Sequence, residues 1–427
     1  MIFLNNKLCR STLITLMLFL FSFYAQAQIS PTNNIVYVTP NGSGNGHDWA
    51  HATSDLQGAI DATGNPDNGK LKVFVAIGEY KVPGNNSFVM KENVEIYGGF
   101  DPQSGITDLT HRRILPNQGM GAGSILDGKG ERPVIWNYNN HLSAGALLDG
   151  FTITNGYLAT NGGGIVNYNS SPSLNNLVVE NNRAGNGAGG IFSDHSSSRI
   201  SNLIIRNNTA TKGGGAGSVN ASPVFTNVLF SSNAGGALLN DGLGTTLLTN
   251  VTIVDHNSTA VVVNAGSLTV HNSIIWGGLT GTYTASYSLI EGKTGGTGNL
   301  NGNTITAAEI FSDFAGGHYH LLKSSPAVNA GSNEQYWNAA GDGAIPSPTP
   351  TAVWGTDLEG RQRLSGVSID LGAYEYQTIV PMQAKQFMFG NIIPAMVVVG
   401  KMPPEICMGL LKPPAQKKYL LPPETTR

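Results

Sequence analysis

Asn176-Leu177-Val178-Val179-Glu180-Asn181-Asn182, Asn202-Leu203-Ile204-Ile205-Arg206-Asn207-Asn208 and Asn227-Val228-Leu229-Phe230-Ser231-Ser232-Asn233 are one unit written three times. The unit extends in both directions. Phe151-Thr152-Ile153 precedes it, and Val251-Thr252-Ile253 and Ser273-Ile274-Ile275 follow, in a run from Gly145 to Gly278. The start-to-start step is about 22 to 26 residues, which is the spacing of stacked-repeat architectures. Gly150, Asn176, Asn202, Asn227, Asn250 and Asn272 stand before the successive strands. Asn182, Asn208, Asn233 and His256 trail them, and glycine pairs recur in phase at 163–164, 189–190, 214–215 and 235–236.

Each unit is too short and too glycine-rich for a helix pair. Its strands are β-branched and alternate in and out with period two. A single coil cannot bury its apolar face, so neighbours must stack. The pattern therefore predicts an all-β fold, a parallel β-helix. Leu177, Leu203, Val228 and Val251 should form one inward ladder, and Val179, Ile205, Phe230 and Ile253 another. Asparagine suits the corners because it tolerates left-handed backbone and bonds neighbouring peptide groups. Glu180 and Arg206 share one slot on adjacent coils and should meet as an ion pair, of the solvated kind that contributes little.

A solenoid explains how 427 residues fold without a thicker core. Glycine, at 55 residues, is well above its usual share of about 7 %. Charge is sparse and nearly balanced, 24 basic against 27 acidic residues. That argues against nucleic acid, which selects a basic face. Lys7 and Arg10 precede the apolar run Leu13 to Phe23, and Ala25-Gln26-Ala27 offers a cleavage site. Residues 1–27 thus read as a secretory signal, with no transmembrane segment after cleavage. The apolar run is shorter than the ~20 residues of a span. Cys9 lies before that run, and Cys407 is the other of the two cysteines, so the secreted part should need no disulfide.

Residues 28–100 read as an N-terminal cap and first coils. Ile35 to Val38, Val73 to Ala76 and Val94 to Tyr97 are strands, and Ser54 to Gln57 has capping-box spacing for a short capping helix toward Ala62. Residues 101–300 are the β-helix repeats, with a loop from Asp101 to Gly123 expected to project from the stack and carrying the positive patch His111-Arg112-Arg113. Residues 301–377 read as C-terminal coils and a cap region.

Within that last region stand Ser325-Pro326-Ala327-Val328-Asn329-Ala330-Gly331, then Asp357, Gly360 and Arg363, then Asp370-Leu371-Gly372-Ala373-Tyr374-Glu375. These three patterns resemble the C-terminal end of bacterial secreted proteins with right-handed β-helix repeats, the choice-of-anchor Q type. Tyr97-Gly98-Gly99-Phe100 and the glycine pairs are also similar to polymorphic outer-membrane protein repeats. The resemblance covers residues 35–376. It implies a single-stranded right-handed parallel β-helix of pectin-lyase-like fold, a secreted or cell-surface location in Bacteroidetes-like bacteria, and no assigned catalytic residues.

From about Ala384 the composition changes: Gly-Asn-Ser turns give way to proline pairs, Met and Lys. Reading the implied codons one base earlier, four positions are forced by the single Met codon. Met388-Phe389 gives Val, Met396-Val397 gives Gly, Met402-Pro403 gives Ala and Met408-Gly409 gives Gly. They align without a gap to Val38, Gly46, Ala52 and Gly58. Residues 378–427 therefore read as a non-native tail, the frameshifted start of a second β-helix module.

β-Helix enzymes that cleave acidic polysaccharides use Asp clusters to hold calcium and a basic residue on the flank, and others use paired carboxylates. In the clear repeat the acids Asp149, Glu180, Asp194, Asp241 and Asp255 are scattered, with no two in one slot of neighbouring coils. Asp194 and His195 are the acid/base candidates. Asp255-His256 reads as a corner pair replacing Asn. Trp136, Tyr138 and Trp276 are candidates for stacking on sugar rings, packing being their alternative use. Asp357, Arg361, Arg363, Asp370 and Glu375 form a charged set that could hold calcium or, more simply, pair internally and seal the last coil. No Cys/His zinc spacing or other metal motif stands out, and no cofactor is expected beyond that calcium. The sequence predicts a secreted, monomeric, non-catalytic structural, adhesion or glycan-contacting module with polysaccharide or cell-surface glycans as partners. The alternative is a polysaccharide lyase or glycoside hydrolase with its site built on the 101–144 flank.

Overall fold

A computed structural model describes residues 28–62, 64, 69–339 and 355–377. Residues 1–27, read above as a secretory signal, and the segment from 378 onward lie outside the described residues. The chain winds as a parallel β-solenoid. One 16-stranded sheet holds two rows of strands that meet at a bend, and a seven-stranded sheet forms the third row. Row one includes Ile35–Val38, Leu71–Ala76, Val94–Phe100, Leu147–Asp149 and Ser173–Asn175; row two includes Gly78–Lys81, Ser124–Asp127, Phe151–Thr154 and Val178–Glu180. In Arg199–Arg206, Val224–Ser231 and Thr245–Val254 the two rows run on as one bent strand. Row three runs from Ile135–Tyr138 through Ile165–Tyr168 and Ile191–Asp194 to Leu279–Thr280.

From Phe151 to Ile275 the rungs pair in parallel and in the predicted register. Leu203 stands over Val228 and Val228 over Val251, while Val179, Ile205, Phe230 and Ile253 form the second ladder. These side chains, and Leu177 with them, are fully buried in one continuous core. Stacking is obligatory here because each coil has too little apolar surface to bury by itself.

The corners explain the asparagine columns. Asn176, Asn202, Asn227, Asn250 and Asn272 adopt left-handed backbone at the bend between rows one and two. Asn155, Asn181 and Asn207 do so after row two, and Asn139, Asn169, His195 and Asn220 after row three. Asn tolerates this region where most residues are strained. The glycine pairs answer to crowding instead. A Cβ on Gly164 would sit 2.6 Å from the Gly190 carbonyl oxygen of the next coil.

Polar side chains also stack inward. Asn182 donates to Asn208 Oδ1 at 3.0 Å and Asn208 to Asn233 Oδ1 at 3.1 Å, all three buried. Asn137 donates to Asn167 Oδ1 at 2.9 Å under row three.

Helix α1 (Leu56–Asp61) plugs the open N-terminal end with Leu56, Ala59 and Ile60. The cap differs from the expected box. Asp55, not Ser54, accepts from the Gly58 amide, and Gln57 instead exchanges two hydrogen bonds with the Val89 backbone. Two further helices, α2 (Ala307–Ile310) and α3 (Asn333–Ala339), belong to the C-terminal segment.

Two expectations about the flanks change. The loop from Asp101 does not project. Arg113 folds it back onto the solenoid, donating to Asp149 Oδ1 at 2.5 Å and to the Gly98 carbonyl at 2.9 Å, over the faces of Tyr97 and Phe100. Asn117 continues the contact with a bond to the Asn202 carbonyl. The described residues of 307–339 and 355–377 add no coils: the strands Phe311–Asp313 and His318–Leu321 form an antiparallel pair. The segment lies along the outside of row two, where Leu229, Val254, Ile274 and Leu289 form a second apolar cluster with Phe311, Leu321, Leu358, Leu371 and Tyr374. The corner asparagines hold it there. Asn227 donates to the Thr356 carbonyl, Asn250 to that of Asp370, and Asn272 to that of Ser332.

The charged set seals this cover rather than the last coil. Arg363 is fully buried, bonds the Gly372 and Asp370 carbonyls, and lies 3.9 Å from Glu375. Asp370 accepts from the Asn329 and Tyr376 amides, Asp357 from those of Glu359, Arg361 and Glu375, and Glu375 from those of Ser365 and Asp370. Three carboxyls share one guanidinium in a buried site, so burial raises the affinity of each for a proton. Their oxygens face backbone amides, an arrangement that serves folding and gives no support to the calcium expectation.

Candidate functional site

The bent-back loop and the C-terminal cover leave a groove of about 680 Å³ between them. Its floor is the outer face of row two, where Thr154, Glu180, Arg206 and Ser231 occupy one slot on successive rungs. One wall is the Pro116–Ala122 part of the loop; the other carries His318, His320, Glu359 and Tyr374. The slot repeats because each coil places one residue there per turn, so the floor is a linear row of side chains.

The charges on this surface are already matched. Arg206 Nε donates to Glu180 Oε2 at 2.7 Å, the inter-rung pair expected from the sequence. On the wall, His320 Nε2 meets Glu359 Oε1 at 2.6 Å and Arg361 lies 2.7 Å from Oε2. The His320 hydrogen bond, with Arg361 beside it, holds Glu359 below the usual carboxylate range, so it stays ionised at neutral pH. At the far end Tyr319 donates to Asp255 Oδ2, and burial with that carboxylate pushes its phenol up to about 12. The groove can accept from and donate to hydroxyls along its length. Its two glutamates are each engaged by a cation, which leaves neither as an obvious general acid.

The sequence-selected residues lie elsewhere. Trp136, Tyr138 and Tyr168 stack on the outer face of row three, with centroids 5.5 and 4.6 Å apart and planes 10° and 14° apart. Tyr138 is half exposed and lies near-parallel to both neighbouring rings. His195 lies at the end of the same stack, 6.3 Å from Tyr168, in the left-handed corner that Asn169 and Asn220 occupy on the adjacent coils. Its Nδ1 contacts Asp194 Oδ1 at 2.6 Å. Trp276 packs against the second apolar cluster. Among these, Asp194, His195, Trp136 and Tyr138 share one face, and none lines the groove.

His256 takes the place of a ladder asparagine, with its Nδ1 3.2 Å from the Asn233 amide nitrogen, and burial lowers its pKa to about 4. Its neighbour Asp255 takes the left-handed corner. The sequence pairs Glu180 with Arg206 but does not mark them as part of a groove, because the signal for one is subtle. Val178, Ile204, Leu229 and Ile274 are apolar at outward positions of row two, which an uncovered solenoid would make polar. That stripe marks a covered flank and the groove at its edge. Among the described residues, one trio of metal-capable side chains converges, His47, Asp48 and His51, in the turn before α1 rather than in the groove.

No family model and no curated protein matches the chain. Among solved structures the chain is similar to the crystal structure of pectate lyase Pel9A, at 14 % identity, over 81 % of this chain and 97 % of that one, with a TM-score of 0.37. The fold assignment above rests on the strand pairing.

Proposed function

We propose that this protein is a secreted or cell-surface β-solenoid that holds an extended glycan in the groove over row two without cleaving it. The observation that carries the reading is the linear slot Thr154, Glu180, Arg206 and Ser231, whose charges are paired to each other. Paired ions hold their geometry and still offer lone pairs and N–H groups to hydroxyls. A rigid row at the rung spacing suits a polymer lying along the solenoid axis. The signal-like N-terminus and the sparse charge agree with an extracellular glycan partner. No helix of the described residues is long and apolar enough to cross a membrane.

A second reading is a lyase or hydrolase using the same groove, favoured by the His320–Glu359 pair on its wall. One experiment addresses both. The protein is incubated with a panel of neutral and acidic polysaccharides, with and without calcium, and binding and chain scission are followed together. Saturable binding, lost in Arg206→Ala and without new reducing ends or unsaturated products, is the expected result. Scission of any substrate would replace the first reading by the second, and binding unaffected by Arg206→Ala would remove the groove from both.

A further inference from the structure

The turn between the first strand and α1 carries a cluster that the groove does not use. One ring nitrogen of His47, one of His51 and a carboxylate oxygen of Asp48 all lie within 4.8 Å of one another. His47 Nε2 is 3.1 Å from Asp48 Oδ2, and His51 Nδ1 is 2.8 Å from Asp48 Oδ1. The two imidazoles stack at 4.4 Å with planes 20° apart.

His47 Nδ1 is 2.5 Å from Asn45 Oδ1, an acceptor. That contact orients the ring so that Nε2 faces the Asp48 carboxylate, 3.1 Å away. An outer oxygen that fixes the ring and frees the opposite nitrogen is the usual support of a ligating histidine.

The donors are also held in place. The Gly46 amide bonds the His51 carbonyl at 2.8 Å, and the His51 amide bonds Asp48 Oδ1 at 2.8 Å. Between them Trp49 anchors the turn, donating to the Thr107 carbonyl at 2.9 Å and packing against Tyr37 and Phe100. Two imidazoles and one carboxylate form a donor set for borderline cations, since calcium and magnesium prefer all-oxygen shells. A tetrahedral zinc ion with bonds of about 2.0 Å separates its ligand atoms by about 3.3 Å. The contacts of 3.1 and 2.8 Å run to different Asp48 oxygens, and the three donor atoms lie within 4.8 Å of one another, so side-chain rotation draws them together to match. All three side chains are at least one-third exposed, so an ion can enter.

We propose that His47, Asp48 and His51 bind one divalent cation of the zinc, nickel or copper class, with a further coordination position open to solvent. The test uses the full chain, free of affinity tags and stripped of metal. It is titrated with zinc chloride by calorimetry and with cobalt chloride as a spectroscopic probe. The expected result is one ion per chain, a visible cobalt absorption typical of four-coordination, and no displacement by calcium. Affinity should fall at least tenfold in His51→Gln and stay unchanged in His195→Gln, which removes the histidine at the corner after row three. Should His51→Gln fail to fold, His47→Gln and Asp48→Asn carry the same expectation. Absence of saturable zinc binding, equal affinity in the cluster variants, or displacement by calcium would overturn the assignment.

Discussion

The side-chain amide of Asn182 donates to Asn208 Oδ1 on the next rung at 3.0 Å, and both residues are buried. Asn208 Oδ1 also receives the Asn182 backbone amide, and Asn208 Nδ2 reaches the Val179 carbonyl. Asn208 thus links its coil to both neighbours, donating onward to Asn233 Oδ1 as well. Buried polar networks of this kind are stabilising when complete and costly when broken.

Asn208→Ala should therefore destabilise by about 3 kcal/mol, because it leaves several buried donors and acceptors without partners. The denaturant midpoint of the variant measures this. A surface asparagine such as Asn303, changed in the same way, should shift it by less than about 0.5 kcal/mol.

Arg113→Met should release the loop from Asp101 to Gly123. It removes the ion pair to Asp149, which is nearly buried, although Asp149 keeps its bonds from Asn175 and Asn176. A local loss of about 3 kcal/mol is expected, near the lower end for a broken buried pair. Hydrogen exchange should quicken in the loop and remain slow in row three.

The cover should weaken as pH rises toward neutrality. Glu375 has an ordinary pKa of 4.5, and in the folded chain burial raises it to about 7 against the pull of Arg363. The folded state therefore holds a proton that the unfolded chain has lost, and stability falls with pH in that interval. The contribution is fully present below about 4.5 and lost as pH rises through about 7, on the order of 3 kcal/mol. Melting temperatures recorded across this interval should decline, and Glu375→Gln should flatten the decline.

His256 imposes the opposite limit. Burial lowers its pKa from 6.5 to about 4, so the folded chain resists a proton that the unfolded chain accepts. Its contribution is present above about 6.5 and lost as pH falls through about 4. His256→Asn restores the residue found in the same column at 182, 208 and 233. That variant should melt at a higher temperature than the parent at pH 4.5 and differ less at pH 7.5.

The sequence by itself determined the solenoid. Period-two strands repeated at a near-constant step leave one way to bury Leu177, Leu203 and Val228, and asparagine at fixed offsets can serve left-handed corners where bulkier residues are strained. It also placed Glu180 beside Arg206, because residues in one slot of adjacent rungs must be neighbours. Tertiary structure alone decided the groove, the fold-back of Arg113 onto Asp149, and the use of residues 307–339 and 355–377 as a cover. Those contacts join segments about 36 to 240 residues apart that share no repeat, and no periodicity specifies which outer stripe a non-repeating segment will bury. The same holds for His47, Asp48 and His51, whose convergence depends on how a short turn is pinned by Trp49 rather than on a spacing that strands or helices would impose.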